Sequence, residues 1–534
     1  MPKKLAVFEP SGLRIKIDAS NTILDAAREL GLQISSECAG RGICGKCFVT
    51  VEPAANPSEA DITHLSEIDR LRGIRLACQH ELQTDTRVVI PQAAQAKILM
   101  GGTASSMEWN IDQDLTGQKG IAIDLGTTTI VAYLLDMENG IQIGQAASLN
   151  PQIIYGEDVM SRIAHAQKEE EGKRTLKDIV LRKLDELIKD LASSANISFQ
   201  EITRLSIVGN PAMHHLLLGL DTHSLGRSPY EPVIRDALNL KSEGMGLTTA
   251  RDASAYFAPN IAGFVGGDTA AFILSQRLDM TDQIVLGIDI GTNGEIVLSV
   301  RGDLFCCSAA AGSAFEGATI KHGMRGQEGA IEHVSIPNPD EAPKIYVIGN
   351  VVPRGLCGSA IVDIVAQLKA SGIVEVGGQM QGSTRVVETD EGRAYLITDP
   401  DENGADRRIV FTQKDVRQVQ LAKGAILAGA SILMESAGIG VSDIDMLLLA
   451  GAFGTYIDPR NALAIGLLPP IDQERVIPVG NAAGEGAKRL LLSTRERTLI
   501  EKVVKKTNYL ELARYENFDK IFVRSTLLEA KMPL

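Results

Sequence analysis

Two stretches of the chain share one pattern: an apolar run, an aspartate near its end, a polar turn rich in glycine and threonine, and a second apolar run. The first is GIAIDLGTTTIV, from Gly120 to Val131. Apolar runs joined by a short polar turn predict β-hairpins. The second stretch, LGIDIGTNGEIVL from Leu286 to Leu298, repeats the pattern about 165 residues later. Self-similarity at the start of two long segments predicts two duplicated lobes.

Each hairpin tip is suited to bind a phosphate group. Glycine lets the backbone approach an anion closely, and threonine adds hydroxyl and amide donors. Asp124, at the strand end, can hold a Mg2+ ion through water. Two such hairpins that face each other predict a nucleotide cleft. The expected phosphate-binding residues are Gly126, Thr127, Thr128 and Thr129 in the first tip and Gly291, Thr292, Asn293 and Gly294 in the second.

The N-terminal part of the chain has a different pattern. Two short strands, Leu5–Glu9 and Leu13–Ile17, flank a Pro-Ser-Gly turn, and an amphipathic helix follows with Asn21 as its expected cap. A glycine-rich loop, a strand, a helical segment over residues 62–70 and a last strand over residues 86–90 complete this part. The order predicts a compact β-grasp.

Four of the seven cysteines lie in this region: Cys38, Cys44, Cys47 and Cys78, separated by five, two and thirty residues. One iron-sulfur cluster needs four thiolates, and a glycine-rich loop exposes N–H groups that can donate to sulfur. A zinc site is the alternative, although zinc ribbons normally use two Cys-x-x-Cys pairs and only Cys44 and Cys47 form one. The spacing resembles that of the ferredoxins, nearer to the adrenodoxin-like branch, and this resemblance implies a single 2Fe-2S cluster.

Composition narrows the classes of partner. The chain of 534 residues is 44% hydrophobic and 22% charged, which is ordinary for a globular protein. Its net charge of -14 argues against nucleic acid or an anionic membrane as the main partner, since both would repel it. The longest strongly apolar run, Met446 to Phe453, is far shorter than the roughly 20 residues that span a bilayer. With no apolar signal region at the N-terminus, we expect a cytoplasmic protein.

Residues 92–119 are rich in Ala, Gln, Ser and Gly, contain the only tryptophan, Trp109, and show no sustained periodicity. They predict a linker. The expected domains are therefore a ferredoxin domain over residues 1–91, the linker over 92–119, a first lobe of the nucleotide cleft over 120–285 and a second over 286–534.

Other candidate site residues follow strands or open helices. Asn210 ends a buried strand, where cleft residues of open α/β sheets lie. Asp268 follows two glycines and can orient a water molecule, or it can act as a simple N-cap. Gln420 and Lys423 lie one helical turn apart, and small residues at Gly451 and Gly454 leave room for a flat ring. The other three cysteines, Cys306, Cys307 and Cys357, are expected in the core.

Five motifs, IDLGTTT, GGDTAAFIL, GIDIGTNGEIV, LLLAGAFG and NAAGEGAK, stand in the order found in the superfamily of actin, the sugar kinases and the heat-shock chaperone ATPases. The resemblance implies an α/β fold with two ribonuclease H-like lobes that bind ATP and Mg2+. On this hypothesis Asp124, Asp268 and Asp289 place magnesium and water, and Gln420, Lys423, Gly451 and Gly454 hold the nucleoside. Two departures, DIGTNGE in the second loop and Ala-Gly-Ala-Phe in the adenosine motif, are typical of one subgroup.

A ferredoxin head fused to such lobes, with VGNPAMHH, GTNGE and LAGAFG, closely resembles the reductive activators of corrinoid-dependent enzymes. The resemblance implies ATP-driven transfer of one electron through the cluster, which reduces Co(II) to Co(I) in a corrinoid protein. It also implies a low-potential electron donor, and a homodimer is a further expectation. Some members have an additional middle domain, for which residues 92–119 leave no room. The alternatives are a redox-sensing small-molecule kinase and an ATP-dependent module for metalloprotein assembly.

Overall fold

The computed structural model describes residues 3–9, 13–18, 21–30, 32, 34, 40–42, 45, 47–65, 67–82, 84–90, 110–113, 115–168, 170–400, 402 and 404–533. Two of the predicted cluster ligands, Cys38 and Cys44, and also Trp109, lie outside these residues. Within the described part of the chain, no helix has the length and apolar character needed to cross a membrane.

The N-terminal residues form a five-stranded mixed sheet with strand order β2-β1-β5-β3-β4, in which β1 and β5 are parallel. Apolar side chains such as Phe8, Ile23 and Val49 form its core between the sheet and the first helix. This is the predicted β-grasp arrangement. Its elements are β1 (Lys4–Glu9), β2 (Leu13–Ile17), α1 (Ile23–Glu29), β3 (Phe48–Glu52), α2 (Glu59–His64), α3 (Glu67–Leu71), β4 (Ile74–Leu76) and β5 (Thr86–Val89).

Capping hydrogen bonds set the helix ends in this region and correct two predictions. The N-cap of α1 is Thr22 and not Asn21, because the Thr22 hydroxyl accepts from the Asp25 N–H while the Asp25 carboxylate accepts from the Thr22 N–H. The segment predicted as one helix over residues 62–70 forms two, α2 and α3. A second capping box, between Ser58 and Asp61, starts α2 earlier than the apolar pattern indicated.

A six-stranded sheet follows, with strand order β10-β11-β9-β6-β7-β8. The long helix α5 packs on it, and so do α6 and α7, while α4 packs on α5 and α6. The strands are β6 (Lys119–Leu125), β7 (Thr129–Asp136), β8 (Gln142–Leu149), β9 (Ile202–Gly209), β10 (Leu238–Lys241) and β11 (Ser254–Phe257). The helices are α4 (Val159–Lys168), α5 (Glu170–Ala195), α6 (Pro211–Leu218) and α7 (Gly267–Ser275).

The second large sheet is also six-stranded, with order β22-β21-β12-β13-β14-β23, and two three-stranded sheets, β16-β15-β17 and β18-β19-β20, accompany it. The strands are β12 (Ile284–Ile290), β13 (Gly294–Val300), β14 (Asp303–Ala309), β15 (Ala330–Ser335), β16 (Lys344–Val347), β17 (Gly355–Leu356), β18 (Val386–Thr389), β19 (Gly392–Thr398), β20 (Ile409–Thr412), β21 (Met446–Ala450), β22 (Val476–Gly480) and β23 (Asn508–Tyr509). The helices are α8 (Gly358–Ala370), α9 (Gln413–Ser436), α10 (Gly451–Tyr456), α11 (Pro459–Ala464), α12 (Ala482–Leu492), α13 (Thr494–Lys506) and α14 (Phe518–Ser525).

The two large sheets repeat one plan. In each, the first hairpin strand is antiparallel to the second and parallel to a later strand: β6 pairs with β7 and β9, and β12 pairs with β13 and β21. The helices α7 and α12 pack together between the sheets, and the Cβ of any larger residue at Gly486 of α12 would lie 2.3 Å from the carbonyl oxygen of Ala271. This close backbone contact joins the two halves of the cleft.

The small residues Gly451 and Gly454 lie in the short helix α10, Gly451–Tyr456. Of the two roles that the sequence left open for Asp268, the structure excludes the N-cap, because Gly266 occupies that position in α7 and Asp268 lies in the first helical turn. Its carboxylate accepts a hydrogen bond from the N–H of Thr269 at 2.7 Å.

Candidate functional site

The hairpin β6–β7 brings its polar tip to the cleft edge of the first sheet. The N–H of Gly126 donates to the carbonyl oxygen of Thr129 at 3.0 Å and closes the tip. A Cβ at Gly126 would lie 2.6 Å from that oxygen, so only glycine permits this closure. The tip thereby carries Thr127 and Thr128 just beyond the strand that contains Asp124.

The hairpin β12–β13 is built in the same way in the second sheet. The N–H of Gly291 donates to the carbonyl oxygen of Asn293 at 2.9 Å, and Thr292 lies at the tip. Asp289 pairs across the strands with Glu295. The two tips meet, since the hydroxyl oxygens of Thr128 and Thr292 lie 3.4 Å apart. The structure therefore brings together the two predicted phosphate loops, which are 164 residues apart in the chain.

Three carboxyl groups converge beneath these tips. Burial, together with Asp268, raises the pKa of Asp124 to about 7, and burial with Asp268 and Asp124 raises that of Asp289 to about 7. Burial raises the pKa of Asp268 to about 6. Neighbouring carboxylates of this kind repel one another, and a divalent cation would relieve the repulsion. The donor set therefore fits Mg2+.

The described residues contain no group of three His, Cys, Asp or Glu side chains arranged to ligate one metal ion directly. Mg2+ usually keeps several of its water molecules and binds proteins through one or two carboxylates and the phosphates of a substrate.

Amide side chains from two other helices orient the first hairpin. Asn210, the N-cap of α6, donates to the Thr127 hydroxyl at 2.9 Å. Asn481, the N-cap of α12, donates to the Asp124 carboxylate at 2.8 Å. The fully buried Arg162 donates to the Thr127 carbonyl oxygen at 2.6 Å. Asn210 was singled out from sequence, and the structure places it against the phosphate loop.

The residues predicted for the nucleoside divide into two groups. Gly451 adjoins the acidic cluster, because a Cβ at this position would lie 2.4 Å from the Asp289 carboxylate, and Gly454 follows in the same helix α10. Gln420 and Lys423 are buried in α9 and donate to backbone carbonyl groups of Thr526 and Leu527. Burial lowers the pKa of Lys423 to about 7. Their polar atoms thus bind the C-terminal segment.

Sequence reasoning missed three residues of the cleft: Arg162, Asn481 and Glu316. Asn481 opens the motif NAAGEGAK directly after a strand, and the rule that singled out Asn210 would also have found it. Glu316, whose carboxylate accepts from Thr292 at 2.8 Å, lies in a loop with no recognisable pattern. Arg162 lies within an amphipathic helix and gave no signal of its own.

In the N-terminal domain, Cys47 and Cys78 are both buried, and their sulfur atoms lie 3.3 Å apart. A hydrogen bond with Cys47 is the main cause that lowers the pKa of the Cys78 thiol to about 6, with a further contribution from the Gln79 side chain. The thiolate is the form that binds iron. The two described cysteines therefore fit a shared cluster, while Cys38 and Cys44 remain predicted ligands outside the described residues.

The remaining three cysteines are core residues, as expected. Cys306, Cys307 and Cys357 are all buried. Burial raises the pKa of each thiol, which keeps it protonated.

Comparison with known proteins identifies three regions. Residues 7–83 match the 2Fe-2S iron-sulfur cluster binding domain family, residues 119–281 match the RACo middle region, and residues 283–533 match the C-terminal domain of RACo, the ASKHA domain. The corrinoid activation enzyme RamQ of Eubacterium limosum is 38% identical over 418 residues, which cover 76% of this chain and 70% of that protein. The chain belongs to the family of reductive activators of corrinoid proteins. The resemblance stated from sequence is confirmed.

Two further members of the reductive activators support this assignment. The [Co(II) methylated amine-specific corrinoid protein] reductase of Methanosarcina barkeri is 25% identical over 435 residues, 76% of each chain. The solved structure of a reductive activator for a corrinoid, iron-sulfur protein superposes with a TM-score of 0.72 at 28% identity and covers 98% of both chains. The fold class, a ferredoxin head followed by an actin-like ATPase, is thereby confirmed.

These matches correct one expectation about the family. A middle domain seemed absent because the segment 92–119 is too short to contain one. The RACo middle region matches residues 119–281, the stretch that contains the first large sheet. The middle region is therefore present in this chain and contains the first phosphate hairpin.

Proposed function

We propose that this chain uses ATP to transfer one electron from a low-potential donor, through its 2Fe-2S cluster, to the Co(II) of a corrinoid protein, which becomes Co(I). One observation carries the proposal: a cluster-binding head and a two-lobed ATP cleft occupy one chain that belongs to the reductive activators. The cluster supplies one-electron chemistry. We also propose a cytoplasmic location, because a cysteine pattern of this kind in a cytosolic enzyme is more often metal-binding than disulfide-forming.

ATP is needed because the electron transfer is not favourable unaided. A plant-type 2Fe-2S cluster has a reduction potential of about -400 mV. Reduction of a Co(II) corrinoid requires a potential that is as low or lower. A nucleotide that favours one arrangement of two lobes biases any partner bound to the protein. The tips that meet at Thr128 and Thr292 belong to different sheets, so a nucleotide held by both tips restrains the two sheets together.

Within the cleft we assign the predicted roles as follows. Asp124, Asp268 and Asp289 place magnesium and water, and the two hairpin tips hold the phosphates. Gly451 and Gly454 border the nucleoside. Gln420 and Lys423 support that side of the cleft indirectly, because they hold the C-terminal segment against α9.

The chain-level organisation is part of the same proposal. We retain the division into a ferredoxin domain over residues 1–91, a linker over 92–119 and lobes over 120–285 and 286–534. A homodimer and a low-potential donor protein are the proposed partners besides the corrinoid protein.

The test uses the purified holo-protein with a chemical reductant, Mg2+ and ATP, and a corrinoid protein of a methyl-transfer system held in the Co(II) state. We expect the visible spectrum of Co(I) to appear only when ATP is present, and Cys47→Ala to abolish this while ATP binding persists. If every corrinoid protein tried stayed in Co(II), the proposal would fail. A phosphorylated small molecule formed without any protein partner would instead favour a kinase.

A further inference from the structure

The loop between β14 and β15, residues 310–329, reaches into the cleft and brings Glu316 to both hairpin tips. One carboxylate oxygen of Glu316 accepts from the Thr292 hydroxyl at 2.8 Å. The Thr128 hydroxyl lies 3.2 Å from each of the two carboxylate oxygens. A single half-buried carboxylate therefore bridges one threonine from each lobe.

The surrounding contacts hold this loop in place. The ring of Phe315 stacks on that of Phe453 in α10, with centroids 4.8 Å apart and an interplanar angle of 19°. Further along the loop, Arg325 forms a 2.9 Å ion pair with Glu157 of the other lobe. These contacts fix the loop, and the loop in turn fixes the position of Glu316.

The hydroxyl groups bound to Glu316 are the donors that a terminal phosphate would use. Thr128 and Thr292 occupy facing tips with their hydroxyl oxygens 3.4 Å apart, so one phosphate group could accept hydrogen bonds from both. A carboxylate and a phosphate are both anions, and they compete for the same pair of donors. ATP can therefore accept hydrogen bonds from both threonine hydroxyl groups only if these groups no longer donate to the Glu316 carboxylate.

We infer that Glu316 is a positioning residue of the nucleotide site, which competes with the terminal phosphate of ATP for Thr128 and Thr292. This inference rests on the proposed ATP cleft. It makes Glu316 a determinant of selectivity between ATP and ADP, because only a triphosphate has the group that must displace the carboxylate. Exchange of the carboxylate for phosphate replaces the Glu316 bridge between the two tips by a bridge through the nucleotide.

Equilibrium binding to the holo-protein tests this competition. Calorimetric titration in Mg2+ with ADP and with the slowly hydrolysed analogue adenylyl imidodiphosphate compares the wild type with Glu316→Gln. The variant keeps the shape of the side chain and removes its charge. We expect the Kd of the triphosphate analogue to fall at least about tenfold, the value of one charged hydrogen bond, while the Kd of ADP changes less than about twofold.

Two further variants separate competition from other causes. Glu435→Gln is the matched control: its carboxylate also accepts a hydroxyl hydrogen bond, from Tyr515 at 2.7 Å, and we expect no change in either Kd. In a Thr292→Val background the gain from Glu316→Gln should shrink, since one contested donor is gone. Glu316→Asp, which retains the charge on a shorter side chain, should give a smaller gain and replaces Glu316→Gln if that variant does not fold.

The inference would be overturned by an unchanged or weaker affinity for the triphosphate in Glu316→Gln, or by equal shifts for both nucleotides. A general-base role predicts a lower kcat at unchanged affinity, and that result would also overturn it. Failure of the wild-type protein to bind either nucleotide would instead contradict the proposed ATP cleft itself. The two failures are therefore distinguishable.

Discussion

In the first hairpin Val131 lies opposite Asp124 across the strands, whereas in the second hairpin Glu295 lies opposite Asp289. The backbone plan is the same in both, but the second hairpin has an additional acid. Asp124 accepts a hydrogen bond from Asn481, and burial with Asp268 and Asp289 raises the pKa of Glu295 well above its ordinary value.

This difference indicates that the two hairpins have different roles in the site. An amide donor orients the aspartate of the first hairpin and holds it in one position. The second hairpin places two acids opposite each other, and a divalent cation at this side of the cleft would relieve their repulsion. Substitutions at four residues test this division, in order from the largest expected effect to the smallest.

The strongest test compares Asp289→Asn with Asp124→Asn. We expect Asp289→Asn to lower the kcat of ATP hydrolysis by at least about 100-fold, because it removes charge where the magnesium-bound phosphate reacts. Asp124→Asn should lower kcat by a smaller factor. Steady-state ATPase assays measure both, and the visible spectrum of the cluster should stay unchanged in each variant. A larger loss for Asp124→Asn would reverse the division of roles.

A smaller effect is expected at Asn481, which both caps α12 and orients Asp124. Asn481→Ala removes both interactions and should lower kcat about tenfold and the free energy of unfolding by about 1 kcal/mol. Asn481→Ser is the matched variant, because serine can cap the helix but is too short to reach Asp124. It should retain the stability and show the same loss of kcat, as measured by urea unfolding and ATPase assays. Full activity in the serine variant would show that Asp124 needs no orienting donor.

The smallest effect concerns Glu295, the residue without a counterpart in the first hairpin. Its raised native pKa means that the folded protein holds this proton more tightly than the unfolded chain, so the stabilisation is present below about pH 4.5 and is lost as pH rises. The free energy of unfolding of Glu295→Gln should therefore be higher than that of the wild type at pH 8, and the difference should shrink toward low pH. Urea unfolding in EDTA measures this difference. A difference in the free energy of unfolding that grew as pH fell would contradict the repulsion of Glu295 by Asp268 and Asp289.

The sequence pattern was sufficient for the local features of both regions. Alternating apolar runs around Gly126 and Gly291 identified the hairpins, because strand period and turn chemistry depend on near neighbours. Cysteine spacing identified the cluster-binding head for the same reason. Helix ends were predicted less accurately. Thr22 caps α1 in place of Asn21, because the cap is set by reciprocal hydrogen bonds with Asp25.

Contacts between segments that are distant in the chain could not be predicted from the sequence pattern. Glu316 has no local motif, and it joins the site only because the β14–β15 loop folds back onto a tip 188 residues earlier in the chain. Gln420 and Lys423 have suitable chemistry for a ligand, yet the C-terminal segment occupies their donors. Such pairings depend on how the whole chain packs.

The sequence by itself determined that this protein has two similar polar-tipped hairpins with Asp124 and Asp289, and a cysteine pattern typical of a 2Fe-2S head. Only the tertiary structure decided that Asn481 of α12 reaches Asp124, 357 residues away, and that one carboxylate bridges Thr128 and Thr292. The physical reason is that hairpins and ligand loops are specified by neighbouring residues, while charge and hydrogen-bond partners in a cleft are specified by the packing of two sheets through α7 and α12.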